Sequence, residues 1–203
     1  MNVWDGLASK YDTLWVQKYS LAPTRRKILA LLGNTGGAGE DFSLLDVGCG
    51  TGQLLVEIKE SYPRARLMGI DQSKPMIDAA TQKDPAIDFA SSAIEEFATG
   101  QTFDFITCCH SFPYYPEKPM ILRKLSTLLK EDGKAIFIQA SINSIYDRLV
   151  MGVVEKTAER ADYLARADFR LLAAEDFAIE EEFTIKEKWC MPSICGFILR
   201  QKP

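Results

Sequence analysis

Two stretches of the chain bring together residue types that chemistry needs. At 108–115 the sequence reads CCHSFPYY: two adjacent cysteines, the only histidine, and a proline between aromatics, directly after the apolar run FDFIT. Three chemistries fit such a set: a metal site, a nucleophile with its base, or the wall of a small-molecule pocket. At 44–55 the sequence reads LLDVGCGTGQLL, with Gly48, Gly50 and Gly52 between an apolar run and a helical one. Glycines in a strand-to-helix turn allow a tight bend and let backbone approach a ligand near a helix amino terminus. Asp46 stands just before the first glycine. Asp71, in MGIDQS, closes the next apolar run about twenty residues on, where a carboxylate can grip ribose hydroxyls.

The elements that must position these residues alternate along the chain. SLLDV, RLMGI, IDFAS, FDFITCC and KAIFIQA read as short apolar strands. GQLLVEIKESY, SKPMIDAATQK and PEKPMILRKLSTLLK read as the helices between them, with IEEFAT after the third strand and a mostly helical 142–175 after the fifth. Ser73 is a plausible cap with Pro75 in the first turn. Strands alternating with helices predict a parallel sheet wound on both faces. FTIKEKWCM and CGFILRQK, joined by the short turn Pro192-Ser193, have no room for a crossover and must pair antiparallel. The acidic run EDFAIEEEF at 175–183 reads as a solvated face. The first segment, Trp4 to Leu32, places Leu7, Tyr11, Leu14 and Trp15 on one side; Pro23 interrupts it, and Thr24 can cap a second helix. The glycine-rich 33–40 reads as a flexible joint.

Composition narrows the function classes. The 203 residues suit one well-buried domain, and 47% hydrophobic with 26% charged residues is ordinary for a globular protein. The net charge of -4 and the lack of a basic face argue against nucleic acid as partner. MNVWDGLASKYD lacks the pattern of a signal peptide, and no apolar run approaches the roughly 18 residues of a membrane span. Five cysteines, an odd number, fit a reduced cytoplasmic protein better than a disulfide scaffold.

LLDVGCGTG resembles the first motif of the class I S-adenosylmethionine-dependent methyltransferases; GIDQSKPMIDAA resembles their second, and LLKEDGKAIFIQ the stretch before their fifth strand. Glu131-Asp132 replaces the usual proline-glycine there. WDGLASKYDTLW looks like the cap helix of the small-molecule enzymes of this family. The resemblance implies an α/β, Rossmann-like fold: a seven-stranded, mostly parallel sheet with a C-terminal antiparallel hairpin and a helical N-terminal cap. It makes 1–203 one methyltransferase domain, with the cap at 1–32 and the core at 42–203. It further implies transfer of a methyl group from S-adenosylmethionine to a small-molecule acceptor, with S-adenosylhomocysteine as product and no metal.

By the same resemblance, Gly48, Cys49 and Gly50 pass under the methionine part of the cofactor, Asp46 holds its amino group, and Asp71 takes the ribose hydroxyls. Gln72 and Met76 flank adenine. Ser92 and Ala93 stand where the family often has an acid, leaving adenine to the backbone and Ile94. Tyr11 covers the cofactor and Cys108 lies beside its methionine moiety. His110 lines the acceptor side and, for a hydroxyl or protonated amine, acts as general base, its ordinary pKa of about 6.5 suiting proton removal. Tyr114, Tyr115 and Tyr146 border the acceptor, within an aromatic wall that includes Trp4, Trp15 and Tyr19.

Blander readings stand beside these. Cys49 is inert packing. Adjacent cysteines in a strand point to opposite faces, so Cys108 and Cys109 cannot easily grip one ion, and a single histidine leaves a zinc set incomplete. An NAD-linked oxidoreductase shares the glycine loop but not the closing hairpin. A cofactor-binding protein without turnover is a further alternative. So is an amino-group N-methyltransferase on a larger substrate, since Ser111-Phe112-Pro113-Tyr114 faintly resembles the Asp/Asn/Ser-Pro-Pro-Tyr motif.

Overall fold

Runs of apolar residues in a chain that alternates strand and helix are stable only when both faces of the sheet are covered, and that is how the chain folds. The computed structural model describes residues 3–34, 41–143, 147, 161–187 and 193–202. Its strands are β1 (Ser43–Val47), β2 (Arg66–Asp71), β3 (Asp88–Ser91), β4 (Phe103–Cys109), β5 (Leu129–Ala140), β6 (Phe177–Ile185) and β7 (Ile194–Gln201). They form one sheet in the order β3-β2-β1-β4-β5-β7-β6. β1 to β5 pair in parallel, and β7 lies antiparallel to both β5 and β6. The chain builds outward from β1 to β3, then returns to place β4 on the other side of β1. The carboxyl ends of β1 and β4 therefore flank the crevice where sheets of this kind take their ligands.

The helices are α1 (Val3–Leu7), α2 (Ala22–Asn34), α3 (Gln53–Ser61), α4 (Lys74–Lys83), α5 (Lys118–Leu128) and α6 (Arg166–Ala173). One face of the sheet buries Leu45, Ile106 and Phe137 with α5 and α6; the other buries Leu44, Phe105 and Ile136 with α2 and α3. Phe112, in the loop after β4, is fully buried against Phe137 and Phe169, with ring centroids 5.2 and 5.6 Å away. Burying such a ring contributes about 1.5–3 kcal/mol, and it fixes the loop that carries His110.

Several elements differ from the sequence reading. Pro23 does not interrupt a helix; it sits in the first turn of α2, which follows a π-helical turn at Gln17–Leu21. Thr24 lies inside α2 and caps nothing, and Gly33 and Asn34 end that helix instead of opening a joint. The rest of that joint, 35–40, and Pro192 of the final turn lie outside the described residues. Ser73 occupies the cap position of α4, but its hydroxyl donates to Asp5 (2.7 Å), tying α4 to the N-terminal segment. Within 142–175, the helix among the described residues that an element bounds is α6 alone. α5 stops at Leu128 and β5 starts at once, because Leu129 pairs with Phe103 at the sheet's lower edge. β6 begins at Phe177, so the acidic run is itself an edge strand. Its Glu180 pairs with Lys134 and Arg200 at 2.7 and 2.9 Å, and exposed charge on an edge discourages pairing with other chains. Trp15 is 64% exposed and belongs to no inner wall.

Candidate active site

Gly48, Gly50 and Gly52 each have positive φ, at 75, 54 and 73°. The amides of Gly48 and Cys49 both donate to the Ile70 carbonyl, at 2.8 and 3.0 Å, which pins the turn to the end of β2. Gly48 meets the requirement twice over, since a Cβ there would lie 2.3 Å from the Cβ of Ser111. Asp71 secures the same turn. One of its oxygens accepts from the Gly50 amide and the other from the Ser73 amide, both at 2.9 Å. Burial raises the Asp71 pKa, while these two amides pull it back. The N-terminal segment is fastened over the loop by Asp12, which accepts from Thr51 (2.6 Å) and pairs with Lys83 (2.5 Å). Neither Asp5 nor Asp12 was recognised in the sequence; two acids in an amphipathic opening segment carry no local signal of what they fasten.

Below this cap lies a cavity with about 700 Å³ of empty space, counted out to its open mouth. Asp71, Gln72, Met76, Ser92 and Ala93 line one end. Glu95 lines it too, so a carboxylate does stand after β3, two residues beyond the position where the sequence reading sought one. Trp4, Tyr11, His110, Tyr114 and Tyr115 line the other end. Trp4 packs edge-on against Tyr114 and Tyr11, with centroids 5.1 and 6.3 Å away. A second lobe of about 460 Å³ shares Tyr11, Gly48, Gly50 and Cys109 with the first and is lined by Gln17, Thr24, Arg25, Asp46, Cys49 and Gln53.

One expected position changes, and one is not described. Cys108 is 1% exposed and packs in the core, while Cys109 lines both lobes. β4 is buried on both faces, so alternation gave no sign of which cysteine turns to the crevice. Tyr146 lies outside the described residues. The other expected residues, Tyr11, Asp46, Gly48, Cys49, Gly50, Asp71, Gln72, Met76, Ser92, Ala93, His110, Tyr114 and Tyr115, all line one lobe or both. Arg25, Gln53 and Thr24 were missed as lining residues.

Burial sets the protonation states. It pushes the Asp46 carboxyl up to about 7, against a hydrogen bond from Thr107 (2.7 Å) that lowers it. It raises the Tyr11 hydroxyl to about 12, with Tyr114 and Asp71 adding to the effect. It raises the thiols of Cys49, Cys108 and Cys109, which removes them as thiolate nucleophiles at neutral pH. It lowers His110 to about 4, so the base expected near 6.5 is a neutral, weakly basic ring. That ring's Nε2 lies 2.9 Å from the hydroxyl of Thr24, and its backbone is held at φ 61° with the amide donating to the Ile138 carbonyl. Among the described residues, no group of three or more histidine, cysteine or acidic side chains is placed to hold a metal.

Residues 44–133 match the family model for a methyltransferase domain. Malonyl-[acyl-carrier protein] O-methyltransferase 1 of Ilyobacter polytropus is 24% identical over 159 residues, 71% of this chain and 59% of that protein. Nocamycin O-methyltransferase of Saccharothrix syringae is 30% identical over 140 residues, 65% and 48% of the two chains. The chain thus spans about half to three fifths of the length of these curated relatives. Among solved structures, a chain from the complex between the Haloferax volcanii Trm112 methyltransferase activator and a methyltransferase superposes with a TM-score of 0.82 at 12% identity, covering 100% and 99% of the chains. The N-methyltransferase NodS of Bradyrhizobium japonicum, in complex with S-adenosylhomocysteine, gives 0.76 at 17% identity, covering 98% and 97%. At these identities the structural likeness establishes the fold.

Proposed function

We propose that this chain is a class I S-adenosylmethionine-dependent methyltransferase and that it moves a methyl group from S-adenosylmethionine to a small molecule. The observation that carries the reading is the two-lobed cavity meeting at the glycine loop, because its three chemical environments match the parts of the cofactor and an acceptor. Asp71 offers acceptor oxygens for ribose hydroxyls while held by two amides. Gln72, Met76, Ser92, Ala93 and Glu95 surround the adenine end. In the second lobe, Gln53 Oε1 is buried without a hydrogen-bond partner, and Asp46 and Arg25 stand on the same wall. An orphaned acceptor, a carboxyl and a guanidinium together suit an amino acid's ammonium and carboxylate. Gly48, Cys49 and Gly50 pass beneath, Tyr11 covers, and Cys109 takes the place first given to Cys108.

When bound, the cofactor supplies a methyl group on a sulfonium, already an excellent leaving group. The protein's contribution is then alignment and exclusion of water. Trp4, Tyr114, Tyr115 and His110 form the acceptor wall. The Ser111 hydroxyl donates to the Val47 carbonyl (2.8 Å), which ties this loop to the end of β1. No described helix is long and apolar enough to cross a membrane. Four described cysteines are free, which favours a reducing compartment such as the cytosol. Purified protein given methyl-labelled cofactor and pools of small acceptors is expected to form labelled product; binding without transfer to any pool would make it a cofactor-binding protein instead.

Asp46 makes the cofactor step pH-dependent. Its carboxyl is protonated in the empty site below a pKa of about 7 and must ionise to pair with an ammonium. Cofactor affinity is therefore expected to rise by up to about tenfold per pH unit between roughly pH 5 and 7, then level off. Calorimetry in buffers of different ionisation enthalpy should show proton release below pH 7, and Asp46→Asn should abolish it. A flat profile across that window would remove Asp46 from this role.

A further inference from the structure

The acceptor lobe, meaning the end of the first lobe lined by Trp4, Tyr11, His110, Tyr114 and Tyr115, holds hydrogen-bond donors and lacks an evident base. Tyr11 and Tyr115 are pushed above their ordinary range, Cys109 stays a thiol, and His110 stays neutral, burial being the leading cause each time. An acceptor that must lose a proton to react finds no partner among these groups. An acceptor that arrives as an anion finds donors.

The orientation of the one imidazole sharpens this. His110 lines the first lobe, whereas Thr24 lines the second and is 1% exposed. The Thr24 hydroxyl and His110 Nε2 lie 2.9 Å apart, and neither side chain has another hydrogen-bond partner among the described residues. A buried hydroxyl must place its proton on an acceptor or lose the bond's full worth. For Thr24 the acceptor within reach is Nε2. A ring that accepts at Nε2 while neutral carries its proton on Nδ1. Nδ1 is not among the buried atoms left without a partner, and His110 lines the first lobe. The positive φ of His110 and the hydrogen bond from its amide to the Ile138 carbonyl fix the backbone that carries the ring. A left-handed backbone at a non-glycine residue persists only where its surroundings enforce it, and such residues gather at functional sites.

We infer that Thr24 is a positioning residue that holds His110 as a donor of Nδ1–H into the acceptor lobe, and that the methyl acceptor is a small carboxylic acid bound as its carboxylate; this rests on the methyltransferase reading above. Nδ1–H binds one carboxylate oxygen and turns a lone pair of the other toward the methyl group. The attacking oxygen forms the new O–C bond as the C–S bond breaks, and the electron pair of that bond stays on sulfur. The products are a methyl ester and S-adenosylhomocysteine, and no proton moves.

Because His110 is the only histidine, the imidazole nitrogen resonances of labelled protein report this ring alone. The expected spectrum is the neutral Nδ1–H tautomer, which Thr24→Val shifts toward Nε2–H and Thr24→Ser retains. In parallel, the full chain with methyl-labelled cofactor is offered aliphatic mono- and dicarboxylic acids, phenols and primary amines. Label is expected in base-labile esters of acids. The KM for the acid should rise about tenfold in Thr24→Val and in His110→Ala. His110→Asn, which keeps an N–H near Nδ1, should recover most of it, and the cofactor's dissociation constant should barely move in the two His110 variants. A wild-type chain that fails to bind cofactor overturns the methyltransferase reading and this one with it. One that binds cofactor yet shows the Nε2–H tautomer, or transfers label to phenols or amines and to no acid, overturns this inference alone.

Discussion

Gly48→Ala is expected to lose cofactor binding and a substantial part of its stability. The new Cβ would meet Ser111 Cβ at 2.3 Å and Oγ at 2.6 Å, at a backbone φ of 75° that L-residues avoid. Left-handed strain and overpacking together cost roughly 2–5 kcal/mol, or about 5–15 °C in melting temperature for a chain of this size. Relief by movement of Ser111 would drag His110 and Phe112 with it, so the acceptor wall suffers as well as the loop. Adding Ser111→Gly removes the clash but not the strain, and should restore roughly half of the lost stability. Gly100→Ala is the control: nothing lies within 4 Å of its new Cβ, and it should change stability by no more than about 0.5 kcal/mol. A Gly48→Ala chain that melts normally and binds cofactor with full affinity would refute the close approach between the two loops.

Asp71→Ala comes next in size. Its carboxylate holds the Gly50 and Ser73 amides, so the change removes two charge-assisted bonds from the loop together with the proposed ribose anchor. Each such bond is worth about 1.5–3 kcal/mol; the expected loss in cofactor affinity is roughly 10- to 150-fold, with a measurable fall in melting temperature. Asp71→Asn is no gentler alternative. Both carboxylate oxygens face an N–H, so whichever way the new amide turns, its NH₂ group meets a donor. Calorimetry should therefore rank Asn near Ala. Undiminished binding in Asp71→Ala would overturn the assignment of this residue.

The order of most elements, the glycine turn and the antiparallel close of the sheet were legible in the sequence, whereas the bond of Asp71 to the turn was not. Each of the legible features is written locally. Glycines at 48, 50 and 52 mark a turn with positive φ, apolar runs separated by helical ones mark parallel strands, and a short joint forbids a crossover. Only the tertiary structure decided which neighbour faces the crevice and in which protonation state. β4 is covered on both sides, so its apolar run lacks the alternation that would separate Cys109 from Cys108, and register against β5 settles the matter. EDFAIEEEF reads as surface in isolation and becomes an edge strand because β7 offers it a ladder and Lys134 and Arg200 meet Glu180. His110 looked like a base at its ordinary pKa, yet its ring is enclosed and bonded to Thr24, a residue 86 positions away in the chain. Desolvation and long-range partners are properties of the packed state, so no spacing along the chain could have announced them.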